Sequence, residues 1–321
     1  MKVLITGSSG FIGTALVNYL VSKGHVVLGI DVKVPKPETA DHEFLECNIL
    51  DAERIEQAFQ DFRPHGIVHL AAHMSLRESV DADERYRANT EGTRNLMTSA
   101  SKCAETKRAI YTSTKYVYRD GEPSGTRDYA PDSSYGRSKV QMEEMIWDLD
   151  GGGLDWCITR PTTIWGAGMS KHYQRFLRMV EEGKYVHIGS SPVKKSMGYV
   201  GNIAAQYERL LTVKSSKMHQ KVLYVTDYEP EILREWVEGF AKILGGKKIR
   251  TIPLVFASVC GRIGDTIKAM GWRKFPFTSF RVKNLTESEV VDASETEAIC
   301  GESPYSREEA LEATTKWFKS L

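Results

Sequence analysis

The stretch Val3-Leu4-Ile5-Thr6-Gly7-Ser8-Ser9-Gly10-Phe11-Ile12-Gly13 decides the fold of this chain. Its apolar beginning predicts a short strand, and the apolar residues that follow it at helical spacing predict a helix. Three glycines join the two elements. Gly7 permits a tight turn, Gly10 lets the backbone approach a diphosphate, and Gly13 lets the helix and the strand pack closely. The free N–H groups at the start of the helix also favour a phosphate ligand.

A second predicted strand, residues 26–31, follows the helix and ends in Asp31. A carboxylate at the end of this strand can accept hydrogen bonds from both ribose hydroxyls of an adenosine. The alternative is a glycine-rich turn beside a capping aspartate. We favour a dinucleotide site because the strand, turn, helix, second strand and acid all occur in the required order.

Strands and helices continue to alternate along the first half of the chain. Further strands are predicted at 44–49, 66–72, 109–113 and 155–160, and helices at 51–62, 82–103 and 135–149. This alternation predicts an α/β fold with a doubly wound parallel sheet, the Rossmann architecture. The rhythm changes after Pro161. We therefore predict a Rossmann domain over 1–165, with the chain returning to the sheet near 196–226, and a smaller substrate-binding lobe that makes up most of 166–321.

The composition limits the class of protein. An apolar content of 41% and a charged content of 26% in 321 residues are ordinary for a soluble globular protein. The formal net charge of +1 gives no electrostatic reason to expect a nucleic acid or membrane partner. Five scattered cysteines and a start at the first strand predict a cytoplasmic protein with reduced thiols and no metal site. The apolar stretch 252–270 contains Arg262, Asp265 and Lys268, and is too interrupted to span a bilayer.

The pattern Tyr135-Gly136-Arg137-Ser138-Lys139 places a tyrosine and a lysine one turn apart on a single helix face. A nearby ammonium favours the phenolate and would bring the tyrosine closer to the range of a general acid or base. Surface exposure of both residues is the alternative. We prefer the catalytic interpretation because the hydroxyls of Thr112-Ser113-Thr114 lie at the end of a predicted strand, where ligands of such sheets bind.

These patterns resemble the extended branch of the short-chain dehydrogenase/reductase family, which contains nucleotide-sugar epimerases, dehydratases and reductases. The resemblance covers about two thirds of the chain. In order, it rests on the glycine loop and Asp31, on Leu70-Ala71-Ala72, Asn89-x-x-Gly92-Thr93, Thr112-Ser113-Thr114-x-x-Val117-Tyr118, Tyr135-x-x-x-Lys139 and Arg160-Pro161, and on Tyr199-Val200-x-Asn202-Ile203-Ala204.

The resemblance implies roles for individual residues. Tyr135 would transfer the proton of the reacting hydroxyl, Lys139 would tune it and bind the nicotinamide ribose, and Thr114, or less favourably Ser113, would hold the substrate oxygen. The other cofactor contacts implied are Phe11, Ile12, Asn48, Ile49, Leu70, Ala71, Ala72, Asn89 and Pro161. The substrate contacts implied are Thr163, Lys195 and His73, although His73 could instead pack at a strand end.

The resemblance favours an NAD-dependent epimerase of a nucleotide-diphosphate sugar. Asp31 would repel a 2′-phosphate and so favours NAD over NADP, an effect that Lys33 softens. Dehydratases of the family have an Asp-Glu pair where this chain has Lys115-Tyr116, so dehydration is not expected. Val200-Gly201-Asn202 also resembles 3β-hydroxysteroid dehydrogenases.

Three alternatives therefore remain: a reductase or dehydrogenase of a keto-sugar, the same chemistry on an apolar alcohol, and, less favoured, an NAD-binding sensor without turnover. Relatives of this kind commonly form homodimers through the helix that carries the tyrosine. In this chain the apolar residues of that helix, Met142, Met145, Ile146 and Leu149, could serve either a dimer or the core.

Overall fold

The computed structural model of the chain describes residues 1–37, 39–74, 82–118, 125–246, 248–272 and 277–321. The strands are β1 (Lys2–Thr6), β2 (Val26–Asp31), β3 (Glu43–Glu46), β4 (Gly66–His69), β5 (Arg108–Thr112), β6 (Asp155–Pro161), β7 (Thr163–Trp165), β8 (Val186–Ile188), β9 (Lys194–Lys195), β10 (Met197–Tyr199), β11 (Lys221–Val225), β12 (Glu231–Ile232) and β13 (Arg250–Ile252).

The helices are α1 (Phe11–Ser22), α2 (Ala52–Phe62), α3 (Ala82–Lys102), α4 (Ser134–Asp148), α5 (Asp150–Gly153), α6 (Lys171–Glu181), α7 (Val200–Thr212), α8 (Ser215–Met218), α9 (Leu233–Leu244), α10 (Leu254–Ala269), α11 (Ser279–Thr286), α12 (Ser294–Cys300) and α13 (Arg307–Lys319). A short 3₁₀ helix spans Lys115–Val117. No helix in the described ranges has the length and apolar composition needed to span a bilayer.

Within the described residues, seven parallel strands form one sheet in the order β11-β6-β5-β4-β1-β2-β3. The chain moves outward from β1 to β3, returns to β4 on the other side of β1, and then moves outward in the opposite direction. In sheets of this kind, ligands bind outside the carboxyl ends of the strands where the direction reverses. The predicted doubly wound fold is confirmed, and its reversal point lies between β1 and β4.

Strand β1 is covered on both faces, which explains why its sequence is continuously apolar. Val3 and Ile5 face a core shared with α1 and α7, whereas Leu4 faces a core shared with α2, α3 and α4. All three side chains are fully buried. Because successive side chains of a strand point to opposite faces, β1 fixes both helical layers at once.

The apolar face of α4 belongs to the core. Met142 and Ile146 are fully buried and Met145 is 9% exposed, whereas Leu149, just beyond the helix, is 44% exposed. The sequence left open whether these four residues serve a dimer or the core. Three of them pack in the core that covers the sheet, and the homodimer that the resemblance implies stays a prediction.

The chain forms two compact units. The first contains Met1–Ile164, Gly198–Asp227 and Asp292–Pro304; the second contains Trp165–Met197, Tyr228–Val291 and Tyr305–Leu321. The sequence did not indicate that Asp292–Pro304 belongs to the first unit. There α12 packs on α7, and Thr296 Oγ1 donates to the carbonyl of Tyr224 at 2.8 Å.

The second unit has its own short strand pairs and helices. Strand β8 pairs in parallel with β13, and β9 pairs antiparallel with β12. Helix α9 packs against α6 and α13, and α10 packs against α11. Trp236 and Phe240 of α9 pack with Trp165, so that this tryptophan is part of the core of its own unit.

We expect the substitution Gly13→Ala to lower the free energy of unfolding by about 1–3 kcal/mol, because its methyl group would overlap the carbonyl oxygen of Gly7. Urea denaturation measures this loss. Gly125→Ala is the matched control, since a methyl group there meets no described atom within 4 Å. Equal stability of the two variants would contradict the close approach of α1 to the glycine loop.

Candidate active site

The glycine loop is held against the ends of β2 and β4, the two strands that flank β1. Gly7 has a φ of +75°, and its N–H donates to the carbonyl of Ile30 at 2.7 Å. A Cβ atom at Gly7 would lie 2.7 Å from the backbone nitrogen of Ala71, just after β4. A side chain at residue 7 would therefore meet both torsional strain and backbone atoms. Glycine at this position lets the loop lie against the segment that follows β4.

The start of α1 suits a negatively charged group. Gly10 is the N-cap of α1 and, among the described residues, no side chain caps this end of the helix. The N–H groups of Phe11 and Ile12, in the first turn, therefore have no capping side chain. Such a terminus offers hydrogen-bond donors and positive partial charge to a diphosphate. This observation fits the dinucleotide predicted from the sequence, and Phe11 and Ile12 could meet its diphosphate.

Asp31 lies at the end of β2 with its carboxylate fixed by the backbone. Oδ2 accepts from Ser9 N at 3.1 Å and Oδ1 accepts from Lys33 N at 3.0 Å. Each oxygen keeps a further lone pair, so the carboxylate could still accept ribose hydroxyls. Because Lys33 contributes its backbone N–H to this contact, it holds the carboxylate whatever the position of its ammonium.

The structure gives Asn48 and Ile49 local roles after β3. Asn48 is exposed, and its Oδ1 accepts from Leu50 N at 3.0 Å, which closes a tight turn. Ile49 is buried beneath α3, where a Cβ at Gly92 would lie 2.6 Å from it. Contact of these two residues with an adenine remains a prediction.

Asn89 ties the segment after β4 to two helices. It is fully buried on α3, and its Oδ1 accepts from His73 N at 2.8 Å. Its Nδ2 donates to Ser138 Oγ of α4 at 2.9 Å and lies 3.2 Å from the His73 carbonyl. The amide thus fixes the segment Leu70–His73, in which Leu70 and Ala71 are half-buried and Ala72 and His73 are exposed. Asn89 could therefore act by positioning that segment.

His69 is a buried histidine that hydrogen-bonds two elements of the same region. No sequence pattern indicated it. His69 Nδ1 lies 2.6 Å from Thr6 Oγ1, and its Nε2 lies 2.9 Å from Thr93 Oγ1. Burial lowers the pKa of His69 to about 3, so the ring is neutral at physiological pH. Its role is to join β1, β4 and α3 below the glycine loop. Thr93 belongs to the Asn89-x-x-Gly92-Thr93 pattern, but no sequence pattern indicated His69 as its partner.

Tyr135 lies in the first turn of α4 and is 6% exposed. The helix begins there because Ser133 caps it, with Ser133 Oγ accepting from Gly136 N at 3.1 Å. The Tyr135 hydroxyl hydrogen-bonds the Thr114 side chain. Burial raises the pKa of Tyr135 to about 12, an effect that the hydrogen bond from Thr114 opposes. The structure thus brings together the side chain predicted to transfer the proton and the side chain predicted to hold the substrate oxygen.

Lys139 is buried one turn further along α4. Its Nζ donates to the carbonyl of Thr112 at 2.8 Å and lies 3.4 Å from Met142 Sδ. Burial lowers the pKa of Lys139 to about 7, while Glu143 raises it. We expected the ammonium to make Tyr135 more acidic. In the structure burial dominates both groups, and it disfavours the charged form of each.

A buried ion pair lies on the same helix face, one turn beyond Lys139. Arg160 of β6 contacts Glu143 through two hydrogen bonds, Nε to Oε1 at 3.0 Å and Nη2 to Oε2 at 2.7 Å. Their side chains are 2% and 0% exposed. Arg160 Nη2 also donates to the carbonyl of Thr126 at 2.7 Å. Arg160 belongs to the Arg160-Pro161 pattern, whereas Glu143 was not expected from the sequence, although it follows Tyr135 and Lys139 at a spacing of four residues.

The remaining predicted residues fall in several places. Ser113 Oγ is buried and has no hydrogen-bond partner within the described part of the chain. Pro161 is the last residue of β6 and pairs in register with Val225. Thr163 begins β7 and is half-buried. Lys195 belongs to the second unit, where its Nζ lies 3.4 Å from Glu289 Oε2.

Asp227 is a further residue that no sequence pattern indicated. It follows β11, and it accepts from Tyr199 N at 2.8 Å and from Asn202 Nδ2 at 2.9 Å. Burial raises the pKa of Asp227 to about 6. The aspartate therefore links Tyr199 and Asn202, at the start of α7, to the end of β11. In the described residues, no group of three or more His, Cys, Asp or Glu side chains could hold a metal ion.

Comparison with known proteins agrees with this geometry. The family model "NAD dependent epimerase/dehydratase family" matches residues 3–225. An N-acetyl-alpha-D-glucosaminyl-diphospho-ditrans,octacis-undecaprenol 4-epimerase of Escherichia coli O157:H7 is 26% identical over 98% of this chain and 95% of its own length. A 3-beta-hydroxysteroid dehydrogenase of Mycolicibacterium neoaurum is 29% identical over 86% of this chain and 77% of its own length.

Among solved structures, UDP-glucose 4-epimerase of Thermotoga maritima has a TM-score of 0.74 and 22% identity over 100% of this chain and 99% of that chain. The chain belongs to the NAD-dependent epimerase/dehydratase family. It is therefore an enzyme of the extended short-chain dehydrogenase/reductase type with NAD as its cofactor, as the sequence predicted.

We expect Glu143→Gln to lower the free energy of unfolding by about 3–5 kcal/mol, because it leaves the Arg160 guanidinium buried without a counter-charge. Urea denaturation measures the loss. The control is Glu91→Gln, which breaks an ion pair of similar length (Arg87 to Glu91, 2.8 Å) on the surface. Its effect should be far smaller, since exposed pairs contribute little. Comparable losses in both variants would contradict the importance of burial.

The lowered pKa of Lys139 predicts that the free energy of unfolding depends on pH. Its folded pKa of about 7 lies below the value of about 10.4 in an unfolded chain, so the unfolded state binds more protons between these two values. Stability should therefore rise with pH from about 7 towards 10, with a slope of up to ~1.4 kcal/mol per pH unit. In Lys139→Met this contribution should disappear, whereas Lys102→Met, on the surface of α3, should keep it. The free energy of unfolding is measured by urea denaturation at each pH. If it changes with pH in the same way in the wild type and in Lys139→Met, the lowered pKa of Lys139 is refuted.

Proposed function

We propose that this enzyme is an epimerase that inverts a ring hydroxyl of a nucleotide-diphosphate sugar. The observation that carries the proposal is the arrangement on one face of α4. The Tyr135 hydroxyl hydrogen-bonds Thr114, and Lys139 lies one turn away, buried against the carbonyl of Thr112. These groups lie at the carboxyl end of β5, where ligands of a doubly wound sheet bind.

The roles of the side chains follow from their protonation. With its pKa raised to about 12, Tyr135 carries its proton at neutral pH and can donate it to a developing alkoxide. In the oxidative direction the phenol must first lose that proton, which a charged Lys139 would favour. The Thr114 hydroxyl would orient the reacting oxygen beside Tyr135. When bound, NAD supplies a hydride acceptor and donor.

In epimerisation the substrate is first oxidised at one carbon. The resulting ketone then rotates within the site, so that it is reduced on its opposite face. The same tyrosine can serve both half-reactions, because it takes up the hydroxyl proton in the first and returns it in the second. No net oxidation results, so a single bound cofactor suffices. The family match and the relatives with 4-epimerase activity support this reaction.

Dehydration is not proposed. Elimination of water would require a second acid/base pair, and the two residues after Thr114 are Lys115 and Tyr116. Lys115 Nζ lies 5.5 Å from the centre of the Tyr116 ring, a cation–π arrangement. Neither side chain offers a carboxylate for proton transfer.

A second candidate is oxidation or reduction of an apolar alcohol. It is favoured by the pairing of Lys195 with Glu289, since the positive charge that would hold a substrate diphosphate is already compensated. The 29% identity with a 3-beta-hydroxysteroid dehydrogenase supports the same alternative. Thr163, where nucleotide-sugar enzymes commonly have an asparagine, also fits an apolar substrate.

We expect Tyr135→Phe to lower turnover at least about a hundredfold while NAD binding persists, because the phenol that moves the proton is lost. The purified enzyme is incubated with UDP-, GDP- and dTDP-sugars without added cofactor. The products are separated, and their masses are determined by mass spectrometry. Isomerised product of unchanged mass supports an epimerase. A requirement for stoichiometric NAD(H) selects the oxidoreductase instead.

The matched control is Tyr111→Phe. Tyr111 is likewise a buried tyrosine, but its hydroxyl donates to the carbonyl of Gly151 at 2.9 Å, away from Thr114. The Tyr111→Phe variant should lose some stability and keep the turnover of the wild type. Unchanged activity in Tyr135→Phe, or equal loss in both variants, would refute the role given to Tyr135.

A further inference from the structure

Helix α10 of the second unit packs through its small residues. Ala257, Gly261 and Gly264 are its buried positions. A Cβ atom at Gly261 would lie 3.1 Å from the backbone of Ser279 and 3.2 Å from the side chain of Val282, both in α11. The two helices therefore approach closely, and the face of α10 that lies against α11 carries almost no apolar side-chain surface.

The large apolar residues of α10 face outward. Val255 is 77% exposed, Phe256 59%, Val259 52% and Ile263 54%, and Met270, just beyond the helix, is 82% exposed. The spacings of four between 255, 259 and 263, and of seven between 263 and 270, place them along one stripe. Single exposed apolar residues are common, but a continuous stripe of large ones marks a binding surface.

The same segment is strongly basic. Residues 248–286 contain eight lysines and arginines and one acidic residue, Asp265, whereas the whole chain has a net charge of only +1. Arg262 and Lys268 lie on α10 itself and are exposed. Asp265 Oδ1 accepts from Ser279 N at 3.3 Å, and Lys283 pairs with Glu287 at 3.6 Å. The helix that carries the apolar stripe therefore also carries two exposed cations and belongs to a segment with an excess of positive charge.

We propose that α10 binds the surface of an anionic lipid bilayer. Its apolar stripe would lie at the boundary between headgroups and acyl chains, and its basic residues would contact the anionic headgroups. Outward apolar residues with flanking Lys and Arg are the combination by which helices bind such surfaces without spanning them. The proposal goes beyond the proposed function, because it concerns where the enzyme binds and does not depend on its substrate.

A second copy of the chain fits this surface less well. A two-fold interface brings the same patch of each subunit together, so the basic segments of both copies would lie opposite each other. Like charges across an interface are destabilising. An anionic bilayer satisfies the apolar stripe and the basic residues together.

The test is cosedimentation of the full chain with vesicles of phosphatidylcholine alone or mixed with phosphatidylglycerol. We expect binding to the mixed vesicles to be at least about tenfold stronger. The double variant Val259→Asp with Ile263→Asp should weaken binding to them by about tenfold or more. The control is Val34→Asp with Leu149→Asp, which changes two exposed apolar residues of the first unit and should leave binding unchanged.

A second variant tests the charge independently of the apolar stripe. Arg262→Gln with Lys268→Gln should reduce the preference for the mixed vesicles and make binding less sensitive to salt. Failure of the wild-type chain to sediment with either vesicle would overturn the proposal. So would equal losses in the α10 and control variants. If sedimentation velocity showed a dimer that the α10 variants dissociate, without vesicle binding, a second copy would be the occupant instead.

Discussion

Burial of charge along one face of α4 is the constraint on which the candidate site depends. Tyr135, Lys139 and Glu143 occupy successive turns, and none of them is more than slightly exposed. Low polarity raises the pKa of the phenol and lowers that of the ammonium, while Arg160 compensates the carboxylate. The helix must therefore hold each polar atom against a defined partner. This requirement explains why an arginine from β6 and the carbonyl of Thr112 lie where they do.

The fold could be read from the sequence because the pattern of the first half is local. Most strands of the sheet contain a continuous apolar run, and the helices between them begin after recognisable turns. Asp51, for example, accepts from Arg54 N at 3.1 Å as the N-cap of α2. The fold of the second unit could not be predicted from the sequence in this way. Its strands are two or three residues long, and α10 shows its large apolar residues to the outside, so that no pattern indicated which face is buried.

The site was predictable as a set of residue types but not as a set of contacts. The spacing of Tyr135 and Lys139 indicated a shared helix face, and the structure places Thr114 beside Tyr135. The sequence could not indicate that burial outweighs the mutual influence of the tyrosine and the lysine. Nor could it reveal that the polar atoms of Asn89 and His69 hydrogen-bond segments that are close in space, because these partners are distant in the sequence. Likewise, a net charge near zero concealed the basic segment around α10.

The position of Lys139 has a further consequence for ligand binding. A lysine with a pKa of about 7 is protonated in only about half of the molecules at neutral pH. Any ligand whose contacts favour its charged form must draw protons from solution as it binds, and its affinity must increase in more acidic buffer. Ligand binding beside Tyr135 and the number of protons bound to the enzyme are thereby coupled through one buried amine.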